Sequence, residues 1–400
     1  MPAAARTPAP PPSVQSLSVA TAHSPKAAGI SPRLDTPSRQ SARPTRRPEG
    51  SGYSMTEGGT PDDRAPKPIR RHAACGEDVR GEDGHCGGMS TRLADWPSVT
   101  DTFLDVDGRQ VRVLEAAGRR RSSRAPQLLV HGLGGSSVTW IEVIEGLAEY
   151  GPVVAVDLPG FGRTPVTDDD PLTIRGYVDF VLAVADSLGW DSFTLHGNSM
   201  GGLIGTLLAA YHPERIDSLV LVSPGLPPRT PLGFLNPSRA TIEGMLPIAI
   251  SSLTALALGL VGLAGPALDE RRNRALLKLI FPDPDGVDPA VLDLMAADFA
   301  EDIEGVDRRR ALLAATCSIS TMWADPRRSW RAVRKVQAPT LVLGGTQDAL
   351  VPARVLRSVL AARPDWEGHV LDDRRHALML EDPESYLRLF DAWHESAAAA

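Results

Sequence analysis

From about residue 100 onward, apolar residues come in short runs that each stop at a polar or glycine-rich turn. The runs TFLDV (102–106) and RQVRVLEA (109–116) flank Asp107-Gly108, the dipeptide of a tight hairpin turn. Six further runs follow: QLLVH (127–131), VVAVD (153–157), FTLHG (193–197), SLVLVS (218–223), TLVLGG (340–345) and HVLDD (369–373). These are apolar on both faces, as strands buried inside a parallel sheet must be. Helical periodicity falls between them, at 173–188 and 200–211 among others. The alternation predicts an α/β fold, a mostly parallel twisted sheet of about eight strands with helices on both faces and right-handed crossovers.

One interval breaks this rhythm. Between Ser223 and Pro339 no strand pattern is visible, only helical pieces, and so long a stretch is not a structureless loop. The reading is therefore a core formed by 100–224 and 338–396, with 225–337 inserted as a helical cap. Within the insertion, 244–268 carries no charge and has the length of a membrane-spanning helix. Pro247, Gly259, Gly262 and Gly265 divide it into shorter helices. A span would also put residue 199 and the chain beyond 268 on opposite sides of a bilayer. Lid helices lining an apolar pocket are the preferred reading, and peripheral membrane contact is the alternative.

Composition adds bounds. Residues 1–90 are rich in Pro, Ala, Ser, Gly and Arg and poor in large apolar residues, which predicts a disordered extension. Its early part is basic, and a solvated tail is preferred over a polyanion-binding one. Met89 opens MSTRLADWPSV where the composition turns globular, so translation starting there is a second hypothesis. A hydrophobic content of 42% suffices for a large core in 400 residues, and a formal charge of −7 gives no hint of nucleic-acid binding. Three cysteines cannot make a disulfide framework, and no signal peptide or twin-arginine signal is visible, which together suggest a cytoplasmic protein. The cluster His72, Cys75, His85 and Cys86 fits no standard zinc spacing, and no metal or organic cofactor is expected.

The chemistry centres on LHGNSMGG (195–202), which contains G-x-S-x-G. Alone, that pattern arises by chance roughly one time in five in a chain of this length. Its setting is more specific, because Ser199 follows a predicted strand directly and precedes a predicted helix. On such a sharp turn the serine is raised above the sheet, and side chains at 197 and 201 would clash. A serine hydroxyl needs a base. Of the histidines in the globular part, His131 closes a strand ahead of a glycine loop and is read as holding it. His196 lies inside a buried strand, and His212 and His394 sit at helix ends. His376, in the loop after the last predicted strand and before a helix opened by Asp382-Pro383, is read as the base. Asp348, just past TLVLGG, is read as the acid that orients it. The preceding strand ends in SPGLPP without a carboxylate, and Asp372 and Asp373 lie at the end of the histidine's own strand. The glycine loop HGLGGSS (131–137) would present the Leu133 N–H, together with that of Met200, to an oxyanion. A phosphate-binding loop is disfavoured, since neither G-x-x-x-x-G-K-[ST] nor G-x-G-x-x-G is present.

HGLGG, DLPGFGRT (157–164), GNSMGG, GTQDALVP and RRHALMLEDPE occur in the order and at the strand ends where the α/β-hydrolase fold family carries its motifs, so residues 100–395 resemble that family. The order Ser…Asp…His matches it too. The resemblance implies a Ser199–His376–Asp348 triad and makes the insertion a cap over the substrate. Dehalogenases and epoxide hydrolases of this fold carry aspartate where this chain has Ser199. GNSMGG is similar to C–C bond hydrolases of ring-cleavage products, but those carry tryptophan after the histidine, where this chain has Ala377. HALMLEDPE is more similar to the esterase and monoacylglycerol-lipase branch. Arg229 or Arg239 in the cap could bind a carboxylate, though a surface role is the default. The expectation is a serine hydrolase of a small-molecule carboxylic ester with an apolar acyl group, lipid esters included. The rivals are a C–C hydrolase, an acyltransferase or haloperoxidase-like member, and a non-catalytic receptor.

Overall fold

The computed structural model describes residues 14–16, 71–72, 93–118, 125–229, 287–300 and 306–399. The extension 1–90, apart from two short strands, lies outside the described residues, as do the uncharged run 244–268 and Arg239.

Eight strands form the regular sheet: β3 (Thr100–Val106), β4 (Arg109–Ala116), β5 (Gln127–Val130), β6 (Val153–Val156), β7 (Phe193–Asn198), β8 (Ile216–Val222), β9 (Thr340–Gly345) and β10 (Glu367–Leu371). Two short strands, β1 (Val14–Ser16) and β2 (Arg71–His72), pair antiparallel with β10 and β3 at the two edges. The order is β1-β10-β9-β8-β7-β5-β6-β4-β3-β2. Neighbours from β6 to β10 run parallel, and β4 turns antiparallel against β6. The β3–β4 hairpin closes with Val106 opposite Arg109. Its turn residues Asp107 and Gly108 have φ of 52° and 84°, the left-handed pair that a two-residue turn requires.

Consecutive residues of a strand enter opposite cores. In β5, Leu128 and Val130 join one apolar cluster while Leu129 joins the other. The first core is closed by α2 (Ile174–Ser187), α3 (Met200–Tyr211), α6 (Pro326–Lys335) and α7 (Ala353–Ala362). The second is closed by α1 (Ile141–Leu147) and α9 (Pro383–Ala399), with Trp140, Ile144, Tyr386 and Phe390 at its centre. Each parallel strand is thus covered on both faces, which is why the sequence shows runs and not alternation. Thr173 caps α2 by accepting the Gly176 N–H at 3.1 Å. Asp382 does the same for α9, accepting the Ser385 N–H at 3.1 Å.

Two boundaries differ from expectation. The last strand is 367–371, because Glu367 and Gly368 pair with Leu341 and Val342, whereas Asp372 and Asp373 lie past the end of pairing. A one-turn helix, α8 (Leu378–Glu381), stands between His376 and α9. Between β8 and β9 the described elements are an irregular segment, 223–229, and three helices: α4 (Pro289–Ala300), α5 (Val306–Ala324) and α6. Among the described residues no helix is long and apolar enough to cross a membrane.

Candidate active site

β7 runs directly into α3 through Ser199, whose φ of 52° and ψ of −110° lie outside the regions that L-residues ordinarily occupy. Such a conformation costs roughly 1–3 kcal/mol and needs surrounding structure to impose it. Here the Ser199 N–H donates to the Val222 carbonyl at 2.9 Å, and the Ser199 carbonyl accepts from Gly225 at 2.7 Å and Leu203 at 3.1 Å. The flanking glycines leave no space for side chains. A Cβ at 197 would stand 2.4 Å from the Gly201 oxygen, and one at 201 only 2.2 Å from the Val130 oxygen. Because backbone opposes backbone, Gly201→Ala is expected to cost about 2–3 kcal/mol, read as a lowered denaturation midpoint.

Asp348 stands in the turn after β9 and is buried. One carboxylate oxygen accepts the N–H groups of Leu350 and Val351, each at 2.8 Å. The other accepts from His376 Nδ1 at 2.8 Å. That bond fixes the tautomer, so in the neutral imidazole Nε2 carries the lone pair. Burial is the largest influence on the His376 pKa and lowers it. The charge and hydrogen bond of Asp348 and the charge of Glu381 outweigh it, so the net shift is upward from the ordinary 6.5. Asn198, next to the serine, joins the two segments: its Nδ2 donates to the His376 carbonyl at 3.1 Å and to the Val222 carbonyl at 3.2 Å.

The glycine loop closes on the same place. A Cβ at Gly132 would lie 3.1 Å from Ser199 Cβ. His131, fully buried, accepts the Leu158 N–H at Nε2 (3.0 Å) and therefore donates from Nδ1 to the Gly132 carbonyl at 2.7 Å. Burial lowers its pKa, which suits a neutral clamp and not a base. His196 is likewise enclosed, bonded to the Tyr386 hydroxyl at 2.6 Å and Gln127 at 2.9 Å, and burial pushes it down to about 3. Met200 is the first residue of α3, so its N–H has no acceptor within the helix. Leu133 sits half-buried on the glycine loop.

Three features escape sequence reading. The first is Asn198. The second is Glu381, whose carboxylate accepts the N–H groups of Arg375 at 2.7 Å and Ala377 at 3.0 Å. The third is a buried ionic cluster. Arg112 reaches Asp101 at 2.9 Å, Ser137 at 2.6 Å, Asp298 at 3.3 Å and Asp157 at 3.4 Å. Asp298 comes from α4 and also accepts from the Ser136 hydroxyl at 2.5 Å, which ties the insertion to the end of the glycine loop. A second tie runs through the segment after β8: Trp323 of α5 donates to the Gly225 carbonyl at 2.9 Å, and Trp330 of α6 to the Pro227 carbonyl at 3.2 Å. Arg229, exposed, lies over the Trp330 ring, 5.6 Å from its centroid.

A strand-to-helix elbow bearing a left-handed serine, beside a histidine–aspartate pair at the ends of later strands, defines a class, and the chain belongs to it: the family model of the alpha/beta hydrolase fold matches residues 126–383. Among its relatives is the abhydrolase domain-containing protein abhd-5.2 of Caenorhabditis elegans, 26% identical over 67% of this chain and 58% of that protein. A second is the 2-hydroxy-6-oxo-6-(2'-aminophenyl)hexa-2,4-dienoic acid hydrolase of Metapseudomonas resinovorans, 28% identical over 72% of this chain and 88% of the relative. The naproxen esterase (carboxylesterase NP) of Bacillus subtilis superposes with a TM-score of 0.54 at 19% identity, over 76% of this chain and 95% of that one.

Proposed function

We propose that this chain is a serine hydrolase that cleaves a small-molecule carboxylic ester with an apolar acyl group, lipid esters included. The observation that carries this reading is the 2.8 Å bond from His376 Nδ1 to Asp348, in a chain whose strained Ser199 is joined to His376 through Asn198. His376 takes the proton from Ser199 as its oxygen attacks the ester carbonyl. The N–H groups of Leu133 and Met200 receive the oxyanion, the alcohol leaves with the proton, and water activated by the same histidine releases the acid. Residues 225–337 act as the cap over this site. By its composition the uncharged run 244–268 suits contact with an apolar acyl chain or a membrane surface, in a protein that works in the cytoplasm.

A C–C bond hydrolase is the second reading, favoured by the Metapseudomonas relative and its near-complete coverage. Ala377 after the histidine and the engagement of Arg229 with Trp330 count against it.

The test is fluorophosphonate labelling with the modified residue mapped by mass spectrometry, beside parallel assays of p-nitrophenyl esters and a ring-fission dienone. Label on Ser199 with ester turnover is expected; dienone turnover alone would replace the reading by its rival, and no label would favour a receptor. The base acts only when neutral, so ester turnover should rise with pH through the upward-shifted pKa of His376, giving an acid limb above 6.5.

A further inference from the structure

Besides its imidazole, His376 is held through its own main chain. Glu381 ends α8, and its two oxygens divide between the peptide groups on either side of the histidine: Oε2 accepts from Arg375 N at 2.7 Å, Oε1 from Ala377 N at 3.0 Å. The Glu381 N–H in turn donates to the Ala377 carbonyl at 2.9 Å, so Glu381 engages both main-chain groups of Ala377 as well as the N–H of Arg375. Asn198 donates to the His376 carbonyl. The Gln347 N–H donates to the Arg374 carbonyl at 3.0 Å, and β9 comes so close that a Cβ at Gly345 would stand 1.9 Å from that oxygen. The segment 374–377 is thus pressed against the strand end that carries Asp348.

Resting on the triad reading above, we propose that Glu381 is a positioning residue for the base: an anionic carboxylate that straddles His376, sets the imidazole against Asp348 and adds a second negative charge beside it. Only an ionised carboxylate offers both oxygens as full acceptors to two N–H donors. Burial is the largest influence on this group and, with Asp348, pushes its pKa up to about 7, against the lowering effect of the two N–H bonds and His376. The carboxylate therefore acts as an anion above about that pH, and its protonation contributes to the wild-type acid limb below it. Its charge in turn raises the pKa of His376. The charged groups on surrounding elements are Glu142 and Glu145 on α1, Glu384 on α9, Arg375 on the loop, and Arg374, which is paired with Asp382 at 3.0 Å.

A plain helix-capping role would also use the bond to Ala377, since that residue is the N-cap of α8. The pH profile separates the two. The second-order rate of fluorophosphonate labelling at Ser199 is to be measured against pH for the wild type, E381Q and E381D. In E381Q an amide NH₂ faces one of the two N–H donors and the charge is gone. Labelling should slow roughly 10- to 100-fold, and the acid limb should move to lower pH as His376 loses a neighbouring anion. E381D keeps the charge but is one methylene short, so it should slow with the limb unmoved. Wild-type rate in E381Q, or a slower rate with an unmoved limb, overturns the proposal. Should E381Q fail to fold, E381D decides: slowing with an unmoved limb supports the proposal, and a wild-type rate or a displaced limb overturns it. A wild type that takes no label at Ser199 instead sinks the triad reading on which this rests.

Discussion

Replacing Ser199 by alanine is expected to lower ester turnover about 10⁴- to 10⁶-fold, leaving the residue that binding and the oxyanion donors supply. The expectation follows from how little else in the site would change. The His376–Asp348 bond, the Glu381 straddle and the Asn198 link involve no atom of the serine side chain. The oxygen is therefore removed from an otherwise intact arrangement. Ser199→Gly should be equally inactive, yet more stable by about 1 kcal/mol, because glycine adopts a φ of 52° without the cost borne by a side chain. Inactivity with raised stability would show that the elbow stores strain for function. Turnover and thermal melting measured on both variants check this, and full turnover in either would remove Ser199 from the mechanism.

The largest effect on stability is expected at Arg112. It is 1% exposed and the shared counter-ion of three acids, Asp101, Asp157 and Asp298. Burial alone would lower its pKa, but those carboxylates together hold it above the ordinary value, so it stays charged at any working pH. Arg112→Met would strand the acids and should cost about 3–5 kcal/mol, seen as a lowered denaturant midpoint. Asp298→Asn should be far milder. Burial, joined by the nearby acids, pushes the Asp298 carboxyl up to about 6 even against Arg112, and its Oδ1 has no hydrogen-bond partner. Since its folded pKa is raised above 3.8, the folded state holds this proton more tightly. Its stabilising contribution is complete at low pH and is lost as pH rises from about 4 to about 6. The asparagine variant should lack that slope, and equal losses in the two variants would contradict this account.

The contrast between these groups explains what could be read along the chain. Strands β5 to β10 were legible because each is packed on both faces, and burial on both faces writes an unbroken apolar run. The hairpin was legible because Asp107-Gly108 states its turn locally. Ser199 could be placed because glycines two residues to either side record a backbone contact that excludes side chains. Asp348 and His376 could be paired through their positions after successive strands, and the structure joins them. Glu381 and Asn198 could not, since what marks them is a bond to main-chain groups that any residue possesses. The Arg112–Asp298 pair spans 186 residues, and no periodicity connects its members. Edge strands β1 and β2 are too short to leave a pattern.

The indole bonds from Trp323 and Trp330 bear on how such a protein could be re-engineered or could diverge. Gly225 gives its N–H to the Ser199 carbonyl and its own carbonyl to Trp323, so a single residue links the nucleophile to the helices that follow β8. Exchanging the insertion for that of another member would remove the donors that hold this segment in place. A graft would therefore have to carry matching indoles at 323 and 330, or place its junction beyond them, to keep the support of the Ser199 segment.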